Sequence, residues 1–386
     1  MERAAISVQR CPTYEPELLR SALAGALAPL GGMPAFVSRG DRVLIKPNLL
    51  AARAVDKHVC THPELVLAAA EAALDAGAAR VYVGDSPGFG TSLGVLRKLG
   101  LPGQLAERGI EIAAFDDPVE IVRPDSVRFR RFEIERAVLE VDKVVNLVKI
   151  KTHAQMFMTM SVKNTFGYIV GTRKAAWHLE AGREVDFFAT MLLDLHYLRP
   201  PVLHLADGIV MMEGNGPGSG TPRALGLLFA GNEGSALDTA ICAVLNVPPH
   251  FVPTLRMAGE LGLGVTDLGK VSWYGPALED VAIEGIDHPI LSHPGKFLAP
   301  RPLQRLTRRL LEVRPLVDPK ACVGCRICME ACPAKAITMV QKKDRPAVAR
   351  IHPPLCIHCY CCQELCPEGA IAPKRGLVRS LLRRPS

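Results

Sequence analysis

The chain has 386 residues, 48% of them apolar and 22% charged, which suits two or three packed domains and excludes a disordered chain. Its 33 Gly and 31 Pro follow no G-X-Y period, which excludes collagen. No uncharged apolar run reaches about 18 residues, so no integral membrane segment is expected. The start, MERAAISVQRCP, lacks the apolar core of a secretory signal, and a cytoplasmic location is expected. The net charge of +7 is unevenly placed. The run 301–314 has five Arg against one Glu, and residues 374–386 have five basic residues and no acid. The bulk is close to neutral, so nucleic acid is not an expected partner.

In chain order, strands are predicted at 4–8, 42–46, 80–84, 110–115, 143–148, 202–206 and 225–230. Several are near-continuous Val, Ile and Leu runs, the pattern of strands covered on both faces. Helices are predicted at 15–27, 63–76, 93–99, 185–197 and 235–245. The second opens on His62-Pro63-Glu64, with Pro at a favourable first helical position. The alternation predicts an α/β domain over 1–295, with a mostly parallel sheet and helices on both faces. A Pro-bounded basic segment, 296–315, reads as a linker with a short amphipathic helix at 303–313. A cysteine-rich α+β unit follows at 316–373, then a basic tail at 374–386.

Nine of the twelve cysteines lie between Cys322 and Cys366, which argues for metal ligation and against disulfides. They form two copies of C-x2-C-x2-C-x3-C-P: Cys322, Cys325, Cys328, Cys332 and then Cys356, Cys359, Cys362, Cys366. Zinc, bound by pairs of cysteines, would not need the third cysteine of each loop. The repeat closely resembles the bacterial two-cluster ferredoxin run. Three closely spaced cysteines wrap one cubane and the fourth reaches the other. That resemblance implies two [4Fe-4S] clusters. Cluster one would take Cys322, Cys325, Cys328 and Cys366; cluster two would take Cys356, Cys359, Cys362 and Cys332. Short strands are expected at 336–337 and 370–371, with a turn at 343–346. Cys361 is a spare thiol, and Cys11, Cys60 and Cys242 read as ordinary thiols. His58, Cys60 and His62 look like half of a metal box that nothing else completes.

Four apolar runs end in polar signatures: Lys46 with Asn48, Asp85 with Ser86, Lys151-Thr152-His153, and Asp207. Singly, these read as solvated lysines and turn or cap carboxylates. In open parallel sheets, however, ligands bind beyond the carboxyl ends of the strands. If the four strands are parallel neighbours, their ends line one pocket for a small anionic substrate. Lysines would neutralise its charge and His153 would transfer a proton. Lys163 and Asn164 follow inside an apolar segment where a lysine is costly to bury without a role. Lys151, His153 and Lys163 are thus the catalytic candidates; Lys46, Asn48, Asp85, Ser86, Asn164 and Asp207 are the substrate-binding ones. The run 88–94 misses the dinucleotide glycine spacing and reads as a turn, with anion binding at its helix as the alternative. The glycine-rich run 213–220 reads as a mobile lid or an irregular connection. His178, in WHLEAGR, reads as a loop residue first and a site residue second.

The motifs VLIKPNLL, THPELV, VGDSPGFG, NLVKIKTH, MSVKNTFG, DGIVMMEGNGP and GNEGSALD together resemble the domain-of-unknown-function 362 family, often fused to a ferredoxin domain. The resemblance spans roughly residues 1–290 and implies the architecture more than a reaction. A fainter similarity, to the lactate racemase domain, rests on His153 and Lys163, ten residues apart. It implies a pocket for an anionic hydroxy or keto acid. The leading expectation is an iron–sulfur oxidoreductase that passes low-potential electrons from a redox partner protein to a small anionic substrate. An electron carrier or cofactor-assembly protein docking on a partner enzyme is the second reading. A non-redox, isomerase-like enzyme with structural clusters is the third.

Overall fold

The computed structural model describes residues 4–289, 313–342 and 345–374. The expected linker helix and the basic tail lie largely outside the described residues, as does half of the expected turn at 343–346.

The chain begins with β1 (Ala5–Arg10), α1 (Pro16–Leu27), β2 (Arg42–Lys46), α2 (Pro63–Asp75) and β3 (Arg80–Val83). Next come α3 (Ser92–Lys98), α4 (Leu101–Glu107), β4 (Glu111–Ile112), the β5 (Pro118–Val122) and β6 (Arg131–Glu135) hairpin, and α5 (Arg136–Glu140). A long strand, β7 (Lys143–His153), turns back into β8 (Phe157–Thr159), followed by α6 (Ser161–Asn164), α7 (Arg173–Ala181) and α8 (Val185–Leu198). The α/β part closes with β9 (Leu203–Glu213), β10 (Thr221–Gly231), α9 (Gly234–Val244), α10 (Pro253–Leu261), β11 (Ser272–Tyr274) and α11 (Leu278–Val281). The cysteine-rich part comprises β12 (Arg314–Val317), α12 (Ile327–Glu330), β13 (Ile337–Lys342), β14 (Arg345–Ile351), α13 (Cys361–Leu365) and β15 (Ile371–Lys374).

One nine-stranded sheet runs β11-β1-β10-β9-β7-β2-β3-β4, with β8 added to the end of β7. Strands β9, β7, β2, β3 and β4 are successive parallel neighbours, and only β10 and β8 run against the rest. The sheet is mostly parallel because its strands are joined by helical crossovers. Side-chain alternation sends Val43, Ile45, Val145 and Leu147 into a core with Leu19 of α1 and Leu65 of α2. Leu44 and Val144 point to the other face, against Phe188 and Leu192 of α8. Helices therefore cover both faces, which is why these strands read as unbroken apolar runs.

The long strand β7 outruns its neighbour. Lys46, the last residue of β2, pairs with Asn146, and β7 continues for seven residues to His153. Those residues stand over the carboxyl end of the sheet. The cysteine-rich part has two small antiparallel sheets, β12 with β15 and β13 with β14, so the strands expected at 336–337 and 370–371 form. His178 lies on a helix, α7, and not in a loop: Arg173–Ala181 contains no Gly or Pro to break it.

Candidate functional site

The four strands with polar ends are parallel neighbours, as expected, but the pleat divides their side chains between two faces. Lys149, Lys151, His153 and Asp207 continue the face that packs α1 and α2. Lys46 belongs to the face of α8.

On the α8 face, Lys46 Nζ lies 2.8 Å from Asp85 Oδ1, with both side chains almost wholly buried. Leu49 N–H donates to the other Asp85 oxygen at 2.8 Å. Gly167 lies over the pair, and a Cβ there would displace the Asp85 carboxylate and the Lys46 ammonium. Ser86 accepts through Oγ from Gly171 N–H and from Lys174 Nζ, and Lys174 also donates to the carbonyls of Ser86 and Ile169. Burial lowers Lys174 to about 7.

On the other face, Asp207 accepts from Lys149 Nζ at 2.8 Å, from Tyr14 O–H at 2.7 Å and from His62 N–H at 3.1 Å. The His62 ring stacks on Tyr14 at 3.6 Å between centroids. Lys151, lowered by burial to about 7, donates to Asn48 Oδ1 and Val59 O, each at 2.7 Å. An amide chain joins the faces: Asn48 donates to Asn164, and Asn164 to Asn146. Lys46, Asn48, Asp85, Ser86, Asn164, Asp207 and Lys151 therefore lie on both faces at the strand ends, each held by partners within the protein. They are the frame beneath a site.

The site itself is completed by the cysteine-rich part. Helix α13 sits against the strand ends, and its Glu364 Oε1 is 2.8 Å from His153 Nε2. Gln155 and Met156 N–H both donate to His153 Nδ1 at 3.1 Å. A ring nitrogen that accepts two backbone N–H groups carries no proton. His153 is thus the neutral Nε2–H tautomer, with Nε2 at 2.8 Å from the Glu364 carboxylate. Burial first, then the Lys163 charge, lowers its pKa to about 4 against the opposing pull of Glu364. Burial works to raise the Glu364 carboxyl, but His153 and Lys163 outweigh it and hold the group below the ordinary carboxylate range. Nδ1 thus spends its lone pair on two backbone N–H groups, and Nε2 faces Glu364.

Lys163 is different. Lys46, Lys149, Lys151 and Lys174 all have oxygen partners, whereas Lys163, among the described residues, has no hydrogen bond and no carboxylate within 4.0 Å. It is only partly buried. Burial lowers its pKa, against the charges of Glu364 and Cys361. His178 is 6% exposed, stacks on Phe188 at 4.4 Å and meets Phe166 edge-on. Its Nδ1 is buried with no hydrogen-bond partner. Burial lowers it to about 3, against the opposing charge of Glu364 and with a smaller contribution from Lys163.

The glycine-rich run 213–220 is the seat of α13. Gln363 Nε2 donates to Asn215 O, Asn215 Oδ1 and Gly216 O at 2.8, 3.0 and 3.1 Å. A Cβ on Gly218 would collide with the Glu364 carbonyl. Arg53 donates to Leu365 O and Arg183 to Cys356 O, each at 2.9 Å. At the run 88–94, Thr91 Oγ1 simply accepts from Gly94 N–H and caps α3.

The cysteines line two cavities. One is walled by Cys322, Cys325, Cys328 and Cys366. The other is walled by Cys332, Cys356, Cys359 and Cys362. Among the described residues, no three His, Cys, Asp or Glu side chains gather as a single metal ion requires. Four thiols spread around a cavity suit a cluster instead. Sequence reasoning missed Glu364, Gln363, Lys149 and Tyr14. Glu364 lies between cluster cysteines, where it reads as part of the ligand loop.

Comparison with known proteins follows the same division. The family model described as Domain of unknown function (DUF362) matches residues 43–243, and one described as a 4Fe-4S dicluster domain matches residues 321–370. A protein of Synechocystis sp. described as thylakoid-associated is 40% identical over 262 residues, 68% of this chain and 81% of that one. Among solved structures, the lactate racemase apoprotein of Thermoanaerobacterium thermosaccharolyticum aligns at 12% identity and a TM-score of 0.39, over 59% of this chain and 54% of that one. A Thermotoga maritima protein aligns at 11% identity and a TM-score of 0.36, over 53% and 52%. The chain thus spans about half the length of these two structures. No helix among the described residues is long and apolar enough to cross a membrane.

Proposed function

This chain belongs to the DUF362 family and carries a 4Fe-4S dicluster domain behind the family region, and from that premise we propose that it is an iron–sulfur oxidoreductase acting on a small anionic substrate at Lys163. We assign Cys322, Cys325, Cys328 and Cys366 to one [4Fe-4S] cluster and Cys332, Cys356, Cys359 and Cys362 to a second, on the support of the two cavities. The clusters, when bound, supply single electrons at low potential. Two of them match the two electrons of an ordinary organic reduction.

The observation that carries the proposal is the seating of α13. Cys362 and Glu364 are two residues apart on one short helix, and Glu364 reaches His153. The second cysteine cavity is therefore next to the strand-end site, and substrate held there is within short reach of it. Lys163 draws the anion in, having no oxygen partner among the described residues. Lowered by burial, it is also the group best placed to give a proton as negative charge develops. His153 fixes Glu364, and the Asn48–Asn164–Asn146 chain fixes α6 beneath Lys163. Water is kept out by the closure of 213–220 over α13.

A redox partner protein supplies the electrons. It meets the other end of the cysteine-rich part, where Cys325 is exposed and Val323 is 52% exposed. We place the protein in the cytoplasm; the thylakoid association of its relative supports peripheral contact with a membrane as the alternative.

The test is a single anaerobic turnover. The protein is reduced, excess reductant is removed, and pooled small acids and phosphorylated metabolites are added. Reoxidation by electron paramagnetic resonance, with a new product by mass spectrometry and loss of both in Lys163→Gln, is the expected result. A second reading, an electron carrier whose lysine frame only docks its own cluster domain, draws on the internal occupancy of the site by Glu364. Reoxidation by a protein fraction and by no metabolite would establish that reading and overturn the first.

A further inference from the structure

We infer that Arg183, a residue of the α/β part, raises the reduction potential of the second cluster and so draws the reducing electron to the cysteines beside the strand-end site. This rests on the assignment of Cys332, Cys356, Cys359 and Cys362 to that cluster and needs no substrate.

The contact is direct. Arg183 Nη2 donates to the carbonyl of Cys356 at 2.9 Å, across 173 residues of sequence. Carbonyl and sulfur belong to one residue, so covalent geometry keeps the guanidinium within about 8 Å of the Cys356 sulfur. Gly182 aims the side chain: α7 ends there at a φ of +55°, a backbone conformation suited to glycine, and Arg183 is the next residue.

The two cavities differ in the charge of their walls. Arg326 and Glu368, one of each sign, stand in the wall of the first, beside the exposed Cys325. The wall of the second carries no charged side chain. Reduction adds one negative charge to a cluster. An apolar wall solvates that charge poorly, and a cation at its rim offsets part of the cost. Nearby charge is one of the terms that set the potential of such clusters. Water screens the half-buried Arg183 in part, so the effect is modest. Glu364, on the same helix as Cys362, acts in the opposite sense and itself faces the Lys163 charge.

The electron balance is plain. A low-potential one-electron donor protein reduces the first cluster. The same electron then leaves it, restoring its oxidised state, and the second cluster gains it. No bond forms or breaks and no proton moves. Arg53 supplies a comparison, since it donates to Leu365 O at the same 2.9 Å. Leu365 lies between Cys362 of the second cluster and Cys366 of the first, so Arg53 helps to dock α13 without favouring either cluster.

The experiment is an anaerobic redox titration of the full, cluster-loaded chain, followed by electron paramagnetic resonance. The wave missing from Cys356→Ser is that of the second cluster. Arg183→Gln should shift the reduction equilibrium of this cluster at least threefold toward the oxidised form, about 28 mV for a one-electron couple. The other wave should stay in place. Arg183→Lys keeps a positive charge and should recover at least half of the shift. Arg53→Gln should move both waves alike. Iron content and melting temperature identify loaded, folded variants, and Arg183→Met serves if Arg183→Gln does not load. An unmoved second wave, equal shifts of both waves in Arg183→Gln, or no recovery in Arg183→Lys would each overturn the inference. So would loss of the second cluster from both neutral variants, because Arg183 would then hold the cluster in place and not tune it. A shifted second wave in a protein that no small acid reoxidises would sustain the inference and sink the oxidoreductase reading; turnover of a small acid with an unmoved wave would do the reverse.

Discussion

Replacing Glu364 with alanine removes a carboxylate that the cysteine-rich part places on the strand-end site. The His153 Nε2–H then faces no acceptor, and the ring loses the contact opposite its two backbone donors. A hydrogen bond to a charged group contributes about 1.5–3 kcal/mol. A loss of about 2 kcal/mol corresponds to a roughly 30-fold rise in local opening. The reporters are the amides of Gln155 and Met156, protected by their bonds to His153 Nδ1. Native-state hydrogen exchange should show them exchanging about 30-fold faster. The amides of Ser161 and Val162 bond instead to Asp238 and should keep their rates. Glu364→Gln retains an oxygen acceptor for a neutral His153, so its effect should stay under about tenfold. Equal effects of Ala and Gln would mean that the carboxylate charge matters and that His153 is an imidazolium. A change under threefold at Gln155 and Met156 in Glu364→Ala would refute the coupling outright.

Two further expectations follow from the same geometry. Cys366→Ser should remove the same paramagnetic signal and the same four irons as Cys322→Ser, and Cys332→Ser the same as Cys356→Ser; pairing by sequence repeat instead would undo the crossed assignment. Lys151 gives a pH dependence. Its pKa is lowered to about 7 in the fold from an ordinary 10.5, so between these values the unfolded chain binds more protons than the folded one. Stability attributable to Lys151 therefore rises with pH across that window, by at most about 1.4 kcal/mol per unit. Wild type should gain on Lys151→Met in denaturant midpoint from pH 7 to 9, and a gap that is flat or shrinks would contradict this.

Much of this protein is legible in its sequence, because the signals are local. Strands β2 and β3 and helices α1 and α2 appear close to their predicted bounds, since a run buried on both faces, a proline at a helix start and a cap residue act over a few residues. The cysteine repeat is equally local, because one loop wraps one cluster. The parallel order of the four strands with polar ends follows from the crossover helices between them. Partnership is what the sequence leaves open. Lys46, Lys149, Lys151 and Lys163 look alike in one dimension, and only the pleat, the overhang of β7 beyond β2 and the amide chain decide that Lys163 alone of these four lacks an oxygen partner among the described residues. His178 reads as a loop residue until α7 turns it inward against Phe188. Glu364 is the clearest case: about 200 residues separate it from His153, Lys163 and His178, and no pattern in either segment announces the contact. The tertiary fold decides it, because the seat formed at 213–220 admits α13 only where glycine leaves room for its backbone.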